Sequence, residues 1–90
     1  MEIDAQRLDG NAAAGLLQEL FPFEMTTASA ICGSCGTQRQ IGALLVYQHG
    51  MGTIIRCTGC DHPLIRIAHN PNRYWVDLSG MRSLQIDRPA

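Results

Sequence analysis

Two Cys-x-x-Cys pairs constrain the fold of this chain more than any other feature of its sequence. The segments Cys32–Cys35 (CGSC) and Cys57–Cys60 (CTGC) contain every cysteine of the chain. Two facing turns of this kind supply the four thiolates of a tetrahedral metal site. We therefore predict one structural zinc ion, bound by Cys32, Cys35, Cys57 and Cys60. Because four thiolates close the coordination shell to substrate and water, we expect no enzymatic activity and no small-molecule substrate.

Three alternatives to a zinc site start from the same cysteines. Iron binds four thiolates on the same type of turn in rubredoxin-like sites. A thioredoxin-like dithiol at Cys32–Cys35 would need a helix after the motif, whereas the residues from Gly36 to Tyr47 have the pattern of a turn and a strand. Two disulfides would need a secreted protein, and the acidic start at Met1–Asp4 does not match a signal peptide. Zinc remains the favoured metal, with iron as its alternative.

The short chain limits the size of the core. Its 90 residues form one domain, which we divide into an N-terminal arm and helix at 1–27 and a zinc ribbon at 28–88. A domain of this size buries only a modest apolar surface. We therefore expect a structural metal to supply part of its stability.

A helix is predicted near the N-terminus. Asp9 or Asn11 is its N-cap, and Pro22 requires the helix to end at about Phe21. Apolar residues recur at helical spacing, namely Ala13, Leu16, Leu17, Leu20 and Phe21. Most amphipathic helices face their own core, so we expect this stripe to pack on the ribbon; docking on another protein is the alternative.

The rest of the chain has the pattern of short strands separated by turns. The predicted strands are Ala28–Cys32, Ile41–Tyr47, Thr53–Cys57, Pro63–His69, Arg73–Leu78 and Arg82–Ile86. Turn-forming residues at Gly50 and Gly52, at Asn70–Asn72 and at Ser79–Gly80 predict three hairpins. The predicted fold is a small α+β metal-bound domain, in which an N-terminal helix is followed by a zinc-ribbon-like antiparallel β-sheet.

The residues next to the cysteines agree with paired metal-binding turns. Gly36 follows the first pair and Asp61 the second, and both residue types tolerate a left-handed backbone. His49, His62 and His69 are further potential ligands, but four thiolates leave them no place at the metal. The sequence contains no phosphate-loop or HExxH pattern and offers no catalytic nucleophile with a matching base.

The strand that begins at Arg73 is the best candidate for a binding surface. Strand alternation directs Tyr74, Val76 and Leu78 toward the core. The opposite face, together with arginines on neighbouring strands, predicts a surface for a protein partner formed by Arg73, Trp75, Arg66 and Arg56. The alternative, which a lone tryptophan in a small domain favours, is that the helix covers this face and buries Trp75.

Charge and hydropathy narrow the classes of partner. The formal net charge is −1 and the isoelectric point is about 6.2, whereas nucleic-acid modules are usually basic. Four thiolates with one zinc ion make the ribbon still less basic, so nucleic acid is not an expected partner. No apolar stretch approaches the length of a membrane span. We expect a cytoplasmic protein without membrane contact, in a compartment where thiols stay reduced.

Three stretches of the chain match a known family pattern. They are Leu8–Gly15 (LDGNAAAG), the two cysteine pairs, and Pro71–Gly80 (PNRYWVDLSG). On these residues the chain resembles small actinobacterial zinc-ribbon proteins classed as a domain of unknown function. The resemblance covers almost the whole chain, and LDGNA is its most specific mark. It implies a metal role for the four cysteines and assigns no activity, although such proteins are loosely associated with oxidoreductase neighbours.

Three functional hypotheses follow from the sequence. The first is a non-enzymatic structural zinc ribbon that acts as a protein-binding or adaptor module. The second is a redox- or metal-responsive accessory protein of an oxidoreductase system, whose thiolates release zinc on oxidation. The third is a weak nucleic-acid-binding ribbon, whose affinity would fall steeply with salt. The first agrees best with the charge and with the closed thiolate site.

Overall fold

Short strands form two antiparallel sheets in a computed structural model that describes residues 6–50 and 52–88. The strands are β1 (Gln6–Asp9), β2 (Ser29–Cys32), β3 (Gln38–Gln40), β4 (Leu45–His49), β5 (Gly52–Arg56), β6 (Pro63–Asn70), β7 (Arg73–Asp77) and β8 (Met81–Gln85). The large sheet has the order β1-β4-β5-β6-β7, and the small sheet has the order β3-β2-β8. The predicted combination of one short helix with antiparallel β-structure is confirmed, but the strands are divided between two sheets.

The N-terminal helix begins and ends as predicted. The Asp9 side chain accepts a hydrogen bond from the backbone N–H of Asn11 at 3.1 Å, which caps a 3-10 turn at Gly10–Ala13. Helix α1 (Ala14–Leu20) follows directly, and Phe21 leaves it with an extended backbone. Among residues 6–50 and 52–88, no helix has the length and apolar character needed to cross a membrane.

The apolar stripe of the helix packs on the protein's own core. Ala13 and Leu17 are fully buried, while Leu16, Leu20 and Phe21 pack against the core from its margin. Buried side chains from both sheets complete this core, including Met25, Ala30, Ile41, Leu44, Val46, Ile55, Leu64, Ile65 and Ile67. The expectation that the helix faces its own ribbon is confirmed.

One predicted strand, Ile41–Tyr47, is wrong in its first half. Ile41–Ala43 forms a 3-10 turn, and the strand begins only at Leu45. The backbone N–H of Ile41 donates to Ala28 and that of Gly42 donates to Thr26, at 2.9 and 2.8 Å. These bonds hold the turn against the segment before β2, and they bury the Ile41 side chain.

Two strands were not predicted, because polar residues predominate in their sequences. β1 pairs with β4 at one edge of the large sheet, and β3 pairs with β2 at one edge of the small sheet. All three residues of β3 are exposed. β3 therefore has no apolar alternation for sequence reasoning to detect, and the single apolar residue of β1, Leu8, makes no alternating pattern. Because β1 lies in the same sheet as β4, the segment at 1–27 is joined to the ribbon by strand pairing as well as by the helix.

Two of the three predicted hairpins are confirmed, and the third is wrong. β4 and β5 pair with His49 opposite Gly52, and β6 and β7 pair with Asn70 opposite Arg73. At Ser79–Gly80, by contrast, the chain passes from the large sheet to the small one, where β8 pairs with β2. This turn therefore connects the two sheets.

The strand β7 is more exposed than the sequence predicted. Tyr74 and Val76 were expected in the core but are 44% and 40% exposed, and Trp75, for which burial was favoured, is 50% exposed. The reason is topological, because among the described strands β7 lies at the edge of its sheet and pairs only with β6. The helix reaches it at one point, where the Tyr74 hydroxyl donates to the Glu19 carboxylate at 2.5 Å. That contact raises the pKa of Tyr74.

Truncation of the central helix residue tests the packing of the stripe. We expect Leu17→Ala to lower the free energy of unfolding by about 2–5 kcal/mol, because a leucine of 1% exposure leaves a cavity. Gln18→Ala, at an exposed position on the same helix, is the matched control and should change it by less than about 0.5 kcal/mol. Urea unfolding of the metal-loaded protein measures both. Equal losses would contradict the packing described above.

Candidate metal centre

The four cysteines lie on two tight turns that belong to different sheets. Residues 32–37, here called knuckle 1, connect β2 to β3 in the small sheet. Residues 57–62, here called knuckle 2, connect β5 to β6 in the large sheet. A metal ion held by both knuckles would therefore link the two sheets.

The two knuckles have the same backbone hydrogen bonds. In knuckle 1, the N–H of Cys32 donates to the carbonyl of Thr37 at 2.9 Å, and that of Gly36 donates back to Cys32 at 3.0 Å. In knuckle 2, the N–H of Cys57 donates to His62 at 2.9 Å, and that of Asp61 donates back to Cys57 at 2.9 Å. Equal spacing in the sequence thus gives equal geometry.

The residue after each cysteine pair adopts the predicted left-handed backbone. The φ angle is 78° at Gly36 and 64° at Asp61. Glycine adopts this region without steric cost, and aspartate is one of the few other residues that enter it. Asp61 is also held by Arg56, whose guanidinium donates to the Asp61 carbonyl at 2.9 Å.

The sulfur atoms are spaced as a tetrahedral metal site requires. The Sγ atoms of Cys32 and Cys60 are 3.7 Å apart, as are those of Cys35 and Cys57, and all four atoms lie within 4.8 Å of one another. Zn–S bonds of about 2.3 Å at tetrahedral angles would place the sulfurs about 3.8 Å apart. The four cysteines thus fit a metal ion, and none of them is in a disulfide.

Backbone N–H groups point at the first sulfur of each knuckle. Cys32 Sγ accepts from Ser34 at 3.3 Å and from Cys35 at 3.5 Å, while Cys57 Sγ accepts from Gly59 at 3.2 Å. Burial alone would raise the pKa of Cys32, but these N–H groups and the Cys60 thiol outweigh it, so that the pKa is lowered. Donors aimed at a sulfur favour the thiolate that binds metal.

The second cysteines of the two knuckles differ in the ease with which they ionise. Cys35 Sγ lies 3.1 Å from the Thr37 hydroxyl, which with the Thr37 backbone N–H lowers the pKa of Cys35 to about 6. At Cys60 the His62 backbone N–H acts in the same direction, but desolvation and the three neighbouring cysteines outweigh it and raise the pKa to about 11. Four crowded sulfurs cannot all ionise readily without a cation among them.

The metal centre has one buried and one exposed side. Cys32 and Cys57 are buried, whereas Cys35 and Cys60 are exposed. The centre is also attached to the turn between the sheets, because the N–H of Gly33 donates to the Gly80 carbonyl at 2.9 Å. A Cβ atom at Gly80 would lie 1.9 Å from the Pro63 carbonyl oxygen, so only glycine fits between knuckle 1 and the start of β6.

The predicted partner-binding residues lie together on one face of the large sheet. Arg56 on β5, Arg66 on β6, and Arg73 and Trp75 on β7 all point away from the core. The register brings two apolar residues of the same face between them, with Tyr47 opposite Ile54 and Ile54 opposite Arg66. We call this surface the open face; it comprises Tyr47, Ile54, Arg56, Arg66, Ala68, Arg73 and Trp75.

Two adjoining depressions run across the open face. One, of about 440 Å³, is lined by Ile54, Ala68 and Trp75, and the other, of about 530 Å³, is lined by Tyr47, Ile54 and Arg56. They share Gly52 and Ile54, so the apolar floor is continuous. At each end an arginine lies over an aromatic ring, Arg56 at 5.6 Å from the Tyr47 centroid and Arg73 at 5.9 Å from that of Trp75.

Three contributors to these sites were not predicted from the sequence. Thr37 and Gly80 support the metal centre, and Tyr47 forms one end of the open face. The signal for Thr37 was its place five residues after Cys32, which corresponds to His62 after Cys57. The His62 carbonyl accepts a hydrogen bond from the Cys57 N–H, just as the Thr37 carbonyl accepts one from the Cys32 N–H. Gly80 contacts Gly33, which is distant in the sequence, and no local sequence pattern predicts such a contact.

Comparison with known proteins identifies the family of this chain but assigns it no activity. The model of a family described as "Family of unknown function (DUF6510)" matches residues 4–89, which is nearly the whole chain. The chain therefore belongs to this family. No curated protein and no solved structure matches it significantly.

Serine substitutions test the assignment of the cysteines as metal ligands. We expect the purified chain to carry one metal ion, and Cys32→Ser or Cys57→Ser to lose most of it, because either change removes a buried thiolate. Elemental analysis measures the metal content, and cobalt substitution reports tetrahedral thiolate coordination by its visible spectrum. Thr58→Ala, at an exposed position inside knuckle 2, is the control that should retain the metal. A folded wild-type chain without metal would contradict the assignment.

Proposed function

We propose that this member of the family of unknown function DUF6510 is a zinc-ribbon protein that is not an enzyme and that binds a protein partner on its open face. One observation carries the proposal: the single tryptophan of the chain is half exposed on a sheet face that also displays Tyr47, Ile54 and three arginines. Exposed aromatic and arginine side chains around an apolar depression are typical of protein interfaces.

Zinc is the proposed metal because of the donor set and its geometry. Four thiolates in a tetrahedral arrangement suit zinc and also iron, and zinc is the usual occupant of structural sites of this kind. When bound, the ion would supply cohesion between knuckle 1 and knuckle 2. Zinc-finger peptides gain about 10–16 kcal/mol of apparent binding energy at neutral pH, which is comparable to the net stability of a whole domain. The elemental analysis above distinguishes the two metals, and iron would also colour the protein.

The chemistry of the open face indicates what kind of partner it fits. Its floor is apolar, Arg56 and Arg66 line it, and Arg73 lies over the ring of Trp75. Two acids lie at its margin: Asp61 is 4.0 Å from Arg56, and Asp77 is opposite Arg66 on the neighbouring strand. The Ser79 side chain and N–H, and then the charge of Arg66, lower the pKa of Asp77. A protein segment with apolar side chains and a carboxylate would match this face.

Nucleic acid fits the open face less well than a protein segment does. Asp61 and Asp77 offset part of the arginine charge at its margin. The chain as a whole carries a formal charge of −1. Binding to a polyanion depends mainly on the release of counterions by unpaired cationic groups, and this surface offers few of them.

Loss of the exposed tryptophan tests the proposed interface. We expect Trp75→Ala to reduce capture of a protein partner at least tenfold while leaving the metal content and fold unchanged, because it removes the main apolar anchor of the open face. Phe23→Ala is the matched control, since Phe23 is also exposed, at 44%, but lies outside this face. Co-purification from native lysate with each variant, with and without nuclease, measures the effect. If nuclease removes the captured material, nucleic acid is the ligand and the proposal is wrong.

A redox- or metal-responsive role is the second candidate, and the exposed half of the metal centre supports it. Cys35 is exposed, and the Thr37 hydroxyl and N–H lower its pKa to about 6. Exposed, readily ionised thiols are those that react with peroxide. Oxidation of Cys35 with its neighbour Cys57, 3.7 Å away, would form a disulfide, reduce peroxide to water and release the metal.

Peroxide titration separates a responsive centre from an inert one. If the second candidate holds, low peroxide concentrations release zinc and a thiol reductant with added zinc restores the complex. A chromogenic zinc indicator follows the release. Cys35→Ser and Thr37→Val should both slow it, the second without removing a ligand. Zinc that is retained until the chain unfolds excludes this role and leaves a purely structural metal.

A further inference from the structure

The edge strand β7 lacks most of the features that usually keep a sheet edge from pairing, and its two charged residues, Arg73 and Asp77, are of opposite sign. It pairs with β6 in a regular register without a bulge, it contains no lysine or proline, and all five of its residues are exposed. Natural sheet edges are normally protected by such residues, by bulges or by a covering segment. Within the described part of the chain, β7 has no strand neighbour other than β6.

We propose that β7 of one chain pairs antiparallel with β7 of a second copy, about a two-fold axis through Trp75. The inference does not depend on the proposed function, because it concerns the edge of the large sheet and a partner identical to this chain. The resulting dimer would join two five-stranded sheets into one. Each open face would continue across the axis into the other.

The backbone N–H and C=O groups that point to the free edge of β7 belong to the residues that this pairing requires. The β6–β7 hairpin is closed by two residues between Asn70 and Arg73, so this flanking pair is hydrogen-bonded. Alternation along β7 then directs the N–H and C=O groups of Arg73, Trp75 and Asp77 toward β6. Those of Tyr74 and Val76 point to the free edge. Centred on Trp75, two antiparallel copies would place each Tyr74 opposite the other Val76 and form four hydrogen bonds.

The side chains of β7 are complementary to themselves in this register. Trp75 would face Trp75 across the axis, and Arg73 would face Asp77 of the second copy at both ends. These are the positions without backbone hydrogen bonds, where opposed side chains approach most closely. A parallel arrangement would instead place like charges side by side. By contrast, β8 at the edge of the small sheet has Arg82 as its charged residue and no acid within the strand to pair with it.

Charge reversal tests this register. In R73D two carboxylates would oppose each other at each end of the interface, and in D77R two guanidinium groups would do so. Mixed in equal amounts, the two variants restore an opposite-charge pair at both ends. Arg82→Asp, the same charge change at an exposed position on β8, is the matched control.

The measurement is sedimentation of the pure, metal-loaded, full-length chain between about 1 μM and about 1 mM, since so small an interface gives a weak dimer. Emission of the single tryptophan reports burial at the axis. We expect a dimer that R73D and D77R each weaken tenfold or more, that their mixture restores, and that R82D leaves unchanged.

Three results would overturn the proposal. The chain could stay monomeric over this concentration range, R73D could leave the dimer affinity unchanged, or the mixture of R73D and D77R could fail to associate. If D77R does not fold, as judged by its metal content, the comparison of R73D with R82D still tests whether Arg73 contributes to the dimer interface. Failure here leaves the metal assignment and the capture of another protein by the open face untouched, because those are measured separately.

Discussion

The convergence of four sulfur atoms from two sheets is the constraint on which the rest of this structure depends. The small sheet has three short strands and the large sheet five, and neither has the size of an independent domain. Knuckle 1 and knuckle 2 bring their sulfurs to within 4.8 Å of one another. The apolar core between the sheets is small, so a metal ion bound by these sulfurs would add cohesion by coordination to cohesion by burial. The contacts of Gly33 and Gly80 extend the same junction.

The local chemistry of the chain was predictable where residue type alone determines the backbone. The left-handed torsions at Gly36 and Asp61 follow from their places after the cysteine pairs, and the helix end follows from Pro22. The packing stripe through Leu17 follows from helical spacing. In each of these cases the determining interaction lies within a few residues of the sequence.

The parts that sequence reasoning missed depend on long-range pairing. The strands β1 and β3 are recognisable only by their partners, because polar residues predominate in both sequences and β3 is fully exposed. The exposure of Trp75 depends on β7 being at an edge, which is a property of strand order rather than of its sequence. For the same reason, Ser79–Gly80 has the composition of a hairpin turn but carries the chain between sheets. Only the identity of the neighbouring strand distinguishes these cases.

The position of β8 has a consequence for how the protein acquires its structure during synthesis. Ser29 of β2 pairs with Gln85 of β8, near the end of the described chain, whereas Cys60 closes the set of four thiolates much earlier. On the ribosome, both knuckles therefore emerge before the small sheet has its third strand. A metal ion bound at this stage would hold β2 in place before β8 has been translated.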